Sequence, residues 1–104
     1  MLDAACPGQV FSAPTPDQME AAASEVHNGK GILFIVKNYS GDIMNFEMGA
    51  DMIDFDHETI LVNDDVAVED STFTTGRRGV AGTMIVEKTV GSLAETGASL
   101  EECK

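Results

Sequence analysis

Basic residues are scarce in this chain, and that scarcity argues against several classes of protein. Six lysines and arginines stand against eighteen aspartates and glutamates among 104 residues, which gives a formal net charge of -12 at pH 7. A surface of that sign repels the phosphates of nucleic acids and the headgroups of anionic lipids. We therefore expect neither a nucleic-acid partner nor a membrane partner.

Long apolar runs and cysteine clusters are also lacking. The longest unbroken apolar stretch covers residues 32–36, whereas a membrane-spanning helix needs roughly 20 apolar residues. The two cysteines, Cys6 and Cys103, stand near opposite ends without the CxxC spacing or nearby histidines of a zinc site. We expect a soluble, cytoplasmic protein with reduced thiols and no zinc site.

What the chain does have is a clear alternation of helix and strand patterns, beginning with a helix. Thr15, Pro16 and Gln18 form a helix start with a capping box. Apolar residues then recur at helical spacing until Gly29, which favours a helix end. Residues 31–36 follow as a continuous apolar run, which is typical of a strand covered on both faces.

The same alternation continues in the second half of the chain. A helical pattern covers residues 43–53, and Ser40 or Asp42 is its predicted N-cap. Residues 58–63 form a second strand pattern, and a long helical stretch runs from about 78 to 95. This order predicts an α/β fold, a layered mixed or mostly parallel sheet flanked by helices, with both strands ending at one edge.

Three polar clusters follow the predicted strand ends, where open α/β sheets bind their ligands. In the first, Lys37 could hold a polar oxygen and Asp42 could accept a proton from a hydroxyl, or the two could only end a strand and cap a helix. The second cluster, residues 63–65, could bind magnesium or form an acidic turn. The third, residues 75–79, contains arginines that could pair with phosphate or with acidic side chains of the chain itself.

The histidines and methionines give no functional signal. His27 and His57 fall at the sheet edge opposite the polar clusters, so neither is a catalytic candidate. Methionines at helical positions are expected to fill the core because their flexible side chains fit irregular spaces. These methionines are Met19, Met44, Met48, Met52 and Met84.

Motifs in a consistent order make the chain similar to one known family. They are Cys-Pro-Gly at residues 6–8, Ile-Val-Lys-Asn-Tyr-Ser-Gly-Asp at 35–42, Asn-Asp-Asp-Val-Ala-Val at 63–68 and Gly-Arg-Arg-Gly-Val-Ala-Gly-Thr at 76–83. Together they extend over nearly the whole chain. The chain resembles the first domain of the substrate-binding K subunit of dihydroxyacetone (glycerone) kinase.

The resemblance implies a kinase function and a role for two residues. In this family dihydroxyacetone is held as a hemiaminal on a histidine, and its hydroxyl receives phosphate from a nucleotide on a separate subunit or domain. The matching motif implies that Lys37 and Asp42 bind the substrate and that Asp42 is the catalytic base. The resemblance further implies ATP or ADP with Mg on a nucleotide-binding L-type subunit, no cofactor on this chain, and a homodimeric full-length parent.

The departures from the family pattern are also informative. A glycine-rich loop ending Gly-His-Glu-Pro and the second domain with the hemiaminal histidine do not occur in residues 1–104. Ser99 and Glu102 also form a capping box just where the chain ends. We therefore expect residues 1–104 to be a partial K-type domain, a fragment inactive by itself. The alternative is a non-catalytic paralogue that senses dihydroxyacetone or binds a transcription regulator, and the phosphate donor is either ATP or a phosphotransferase system.

Overall fold

Helices and strands alternate in the computed structural model, which describes residues 2–9, 12–27, 29–65 and 76–104. The helices are α1 (Pro16–Val26), α2 (Ser40–Asp51), α3 (Gly82–Glu95) and α4 (Leu100–Cys103), and the strands are β1 (Ile32–Lys37) and β2 (His57–Val62). The predicted α/β class is confirmed. Within the described ranges, no helix combines the length and the apolarity needed to cross a membrane.

The two strands pair in parallel, as the sequence predicts. The register joins Ile32 to His57 at one end and Lys37 to Val62 at the other. Both strands therefore end at the same edge, called here the carboxyl edge, and both begin at the opposite, amino edge. On β1, Phe34 and Val36 are buried whereas the intervening positions point to the other face and are half-buried. The predicted burial of β1 on both faces is thus greater on the face of Phe34 and Val36 than on the other.

The core lies between the sheet and the pair formed by α1 and α2. Its buried members are Ala23, Phe34, Val36 and Ala50. The two helices approach closely at Gly49, where a Cβ would lie only 3.2 Å from the Cβ of Met19. Residues packed around this core are Ile32, Ile43, Phe46, Ile53 and Phe55.

The methionines occupy two different environments. Met19 is 1% exposed, so the prediction of a core position is correct there. It is wrong for the other four, which are 51% to 68% exposed and are Met44, Met48, Met52 and Met84. Helical spacing identifies an apolar position on a helix, but it does not reveal whether another element covers that face.

Local capping signals predict two of the helix starts correctly. Thr15 is the N-cap of α1, and its backbone N–H donates to the Oε1 of Gln18 at 3.1 Å. Ser99 is the N-cap of α4 and accepts from the backbone N–H of Glu102 at 3.3 Å. Cys103, inside α4, is buried, and both cysteines are free thiols as expected.

The predicted starts of α2 and α3 need correction. The N-cap of α2 is Tyr39, so Ser40 and Asp42 lie within its first turn and do not cap it. The reason is a tight turn in which the N–H of Tyr39 donates to the carbonyl of Lys37 at 2.8 Å, which ends the strand and starts the helix at once. Helix α3 starts at Gly82, later than the predicted position near residue 78.

Candidate functional site

The carboxyl edge brings the first polar cluster to the ends of both strands. Lys37 is the last residue of β1, and the strand ladder extends one step further because the N–H of Asn38 donates to the carbonyl of Val62 at 2.9 Å. The turn at Tyr39 then leads into α2, which places Asp42 in the first helical turn. The motif from Lys37 to Asp42 therefore wraps around one strand end.

Lys37 and Asp42 interact electrostatically. Partial burial raises the pKa of the Asp42 carboxyl above its ordinary value, and the positive charge of Lys37 opposes that rise to a smaller extent. The side chain of Lys37 is exposed, so its ammonium group is accessible at the edge. A carboxylate with a raised pKa is a stronger base, and an ammonium group donates to ligand oxygens. The pair can bind a hydroxylated ligand and accept its proton.

Residues 76–79 of the third polar cluster fold over the same edge, and Thr75 lies outside the described residues. The segment of residues 76–81, called here the arginine loop, is held by the amide of Asn38, whose Nδ2 donates to the carbonyl of Arg77. Asn38 is only 3% exposed, so this hydrogen bond is shielded from water. The N–H of Asp65 also donates to the carbonyl of Arg78 at 3.0 Å. Sequence patterns assigned Asn38 no role, although a polar residue directly after a buried strand is a usable signal.

The magnesium interpretation of the second cluster is not supported by the described residues. Asp64 accepts the N–H of Val80 on Oδ1 and the N–H of Gly82 on Oδ2, each at 2.7 Å. These two bonds hold the pKa of Asp64 below its usual value. Among residues 2–9, 12–27, 29–65 and 76–104, no three acidic, histidine or cysteine side chains are grouped to hold a metal ion. Asp64 instead tethers β2 to the start of α3.

The structure shows a contact between Arg78 and an aromatic ring. Its guanidinium carbon lies 5.6 Å from the ring centroid of Tyr39, a cation–π contact. Phosphate binding and ion pairs with acidic side chains such as Asp65 stay predictions for the two arginines. Asp64 accepts backbone N–H groups, and Asp70 lies outside the described residues. Arg78 and Tyr39 thus link the arginine loop to the turn that precedes α2.

Both histidines lie at the amino edge, away from Lys37 and Asp42. The ring of His27 stacks on Phe55 with a centroid separation of 3.8 Å. His57 is the first residue of β2, and its ring centroid is 6.1 Å from that of Phe34. Both histidines therefore pack against aromatic rings. Their predicted position, at the edge opposite the polar clusters, is confirmed.

The whole length of the chain matches one known domain family. The Dak1 domain profile matches residues 1–104. The chain belongs to the Dak1 domain family. The dihydroxyacetone-binding subunit DhaK of PTS-dependent dihydroxyacetone kinase 1 from Listeria innocua is 61% identical over 107 aligned residues, a match that covers 100% of this Dak1 chain and 32% of that protein. The predicted family resemblance is confirmed.

A kinase and a regulator of known structure share the fold of the Dak1 chain. The native dihydroxyacetone kinase of Citrobacter freundii matches with a TM-score of 0.85 and 36% identity over 92% of this chain and 18% of its own, and that kinase is also known with AMP-PNP and Mg²⁺. The dihydroxyacetone kinase operon co-activator Dha-DhaQ matches with a TM-score of 0.83 and 31% identity over 89% of this chain and 30% of its own. The Dak1 chain spans about a third of the length of the curated DhaK subunits that it matches.

Proposed function

We propose that this Dak1 chain supplies part of the dihydroxyacetone site of a dihydroxyacetone kinase, which phosphorylates dihydroxyacetone to dihydroxyacetone phosphate. The proposal rests on Lys37 and Asp42. Lys37 is an exposed cation at the end of β1, and Asp42 is a partly buried carboxylate in the first turn of α2, within electrostatic reach of Lys37. Family membership and the names of the kinase relatives support the choice of substrate.

Each member of the pair has a distinct role in this proposal. The ammonium group of Lys37 donates a hydrogen bond to an oxygen of the triose and orients it. Asp42 binds the substrate hydroxyl and accepts its proton as the oxygen attacks the phosphoryl group. Burial raises the pKa of Asp42, which makes the carboxylate a better proton acceptor than an exposed aspartate. Asp42 is therefore the proposed catalytic base and Lys37 a substrate-binding residue.

The remaining parts of the reaction are proposed to lie outside this chain. His27 and His57 pack at the amino edge, so the histidine that holds the triose as a hemiaminal would come from another part of the protein. ATP or ADP with Mg²⁺ would sit on a nucleotide-binding L-type subunit or domain. The relative solved with AMP-PNP and Mg²⁺ supports this chemistry. Residues 1–104 would then be a partial K-type domain.

The cellular setting is proposed on the same basis. Relatives named PTS-dependent support a nucleotide that is recharged by a phosphotransferase system. We also propose that the full-length parent is a homodimer in the cytoplasm and takes part in glycerol metabolism.

A dihydroxyacetone-sensing regulator is the competing function, because a co-activator shares the fold at 31% identity. The 61% identity to a kinase subunit favours the enzyme.

The test is a chimera in which residues 1–104 replace the matching part of the Listeria innocua subunit, assayed with its nucleotide-binding partner. We expect the chimera to phosphorylate dihydroxyacetone at a rate comparable to that of the unmodified subunit. The 104-residue chain, assayed in the same way, should show no turnover. A folded chimera that binds dihydroxyacetone without phosphorylating it would favour the sensor, and substantial turnover by the chain alone would contradict the partial-site proposal.

A further inference from the structure

Gly79 lies directly against the backbone of Lys37. A Cβ at position 79 would be 2.9 Å from both the Cα and the Cβ of Lys37, and closer still to the carbonyl oxygen of Val62. Side-chain carbons essentially never approach other atoms within 3.0 Å, so any residue larger than glycine must displace one of these groups. Gly79 is itself buried. The arginine loop therefore rests on the very residue that is proposed to bind the substrate.

Hydrogen bonds of the residues before and after Gly79 hold this contact in place. Before it, the carbonyl of Arg77 accepts from the buried amide of Asn38. After it, the N–H groups of Val80 and Gly82 donate to the two carboxylate oxygens of Asp64 at 2.7 Å. Asn38 directly follows β1, and Asp64 lies just beyond β2, so both anchors are fixed to the strand ends. The loop cannot lift away from Lys37 without breaking at least one of these bonds.

We propose that Gly79 is a positioning residue that sets where the ammonium group of Lys37 meets the substrate. The arginine loop, anchored by Asn38 and Asp64, closes on the Lys37 backbone and fixes the point from which its side chain extends. This inference rests on the proposed function of Lys37. It assigns the loop a role in substrate binding, in addition to its role in packing.

The main variant is Gly79→Ala in the chimera. Its methyl group should push the Lys37 backbone aside, and a misplacement of about 1 Å at a positioned group can cost about a hundredfold in rate. We expect the KM for dihydroxyacetone to rise about tenfold to a hundredfold with kcat nearly unchanged, because Asp42 keeps its place in α2. An unchanged KM in a folded Gly79→Ala protein would overturn the proposal.

A double-mutant cycle separates positioning from general disruption. Lys37→Met removes the ammonium group, so it should raise KM at least as much as Gly79→Ala. If Gly79 acts through Lys37, adding Gly79→Ala to Lys37→Met should change KM by less than about threefold, since the interaction has already been lost. Fully additive effects would show that Gly79 influences binding by another route and would contradict the proposal.

Gly29→Ala is the control for replacing a glycine away from the site. Gly29 has a φ of +92°, and a Cβ at this position would have nothing within 4 Å, so alanine there is strained without touching the site. The Gly29→Ala variant should be less stable, with its KM for dihydroxyacetone unchanged.

If the Gly79→Ala protein fails to fold, Asn38→Ala is used in its place. Losing the amide donor of Asn38 releases the arginine loop without creating a clash. We expect KM to rise about twofold to tenfold in that variant, and no rise would contradict the proposal.

A structural measurement keeps this inference separate from the kinase proposal. Lysine side chains in the chimera can be tagged by reductive ¹³C-methylation and followed by NMR, with Lys37→Met identifying the Lys37 signal. That signal should shift in Gly79→Ala and stay in place in Gly29→Ala. If the parent chimera lacks kinase activity, the proposed function fails while the shift still decides the positioning claim. A Lys37 signal identical in Gly79→Ala and the parent would refute it.

Discussion

The two edges of the same pair of strands are built from different chemistry. At the amino edge, aromatic rings pack together, as in the stack of His27 on Phe55. At the carboxyl edge, Lys37 and Asp42 stay partly accessible while Asn38 is buried in a hydrogen bond to the arginine loop. Parallel pairing places every strand end on one side, so polar groups accumulate there. Binding groups and packing groups are therefore separated along only six residues of strand.

Helix α4 also packs at the amino edge. A Cβ at Gly31 would lie 2.9 Å from the Cδ2 of Leu100, so α4 packs tightly against the start of β1. Lys104 pairs with Glu58 at 2.9 Å, but both side chains are well exposed and such pairs contribute little. Substitutions at the amino edge should therefore change stability and not activity, whereas substitutions of Lys37 or Asp42 at the carboxyl edge should change activity.

The largest expected effect, and the strongest test of this separation, is that of Asp42→Asn in the chimera. Removing a general base lowers rates by about a hundredfold to ten-thousandfold. Burial raises the pKa of Asp42, so the carboxyl favours the folded state when protonated and loses that contribution as the pH rises through its folded pKa. Asparagine carries no charge, so the free energy of unfolding at neutral pH should not fall. Steady-state kinetics and urea unfolding measure the two quantities, and near-normal turnover would remove Asp42 from the catalytic role.

An intermediate effect is expected from His27→Ala at the amino edge. Losing the stack on Phe55 should lower the free energy of unfolding by about 1 kcal/mol, the size typical of an aromatic pair. The kcat and KM of the chimera should stay unchanged, because His27 lies at the far end of the strands. Lys104→Ala is the control at the same edge and should alter stability less. A loss of turnover in His27→Ala would break the separation of the two edges.

The smallest expected effect concerns Asp64 and acid. The bonds from Val80 and Gly82 lower its pKa in the folded chain, so its stabilising contribution is present above its unfolded pKa and is lost as the pH falls through the folded value. Asp64→Asn keeps one acceptor oxygen but loses the charge. Urea unfolding from neutral pH down to about pH 3 should show the two proteins converging as the solution becomes more acidic. A stability difference that is constant with pH would show that the Asp64 charge does not hold the arginine loop.

Much of the fold could be predicted because its signals are local. The capping residues Thr15 and Ser99 begin α1 and α4, since each bond involves groups three residues apart. The apolar run of β1 marks a buried strand, and the polar motif from Lys37 to Asp42 marks its end. The candidate pair could be named from that motif. The N-cap at Tyr39 was missed because the tight turn before it leaves no side-chain signature in the sequence.

The α/β class, the family and the two residues proposed to act on the substrate could all be inferred from the amino-acid sequence. The closing of the strand ends became visible only in the folded chain, because it depends on contacts between distant residues. Asn38 bonds to a carbonyl 39 residues away, and Asp64 bonds to N–H groups 16 and 18 residues away. Such partners have no fixed sequence spacing, because they depend on which strands pair and where the following segment returns. Gly79 meets Lys37 for the same physical reason, since the loop is brought back over the end of β1 by its anchors.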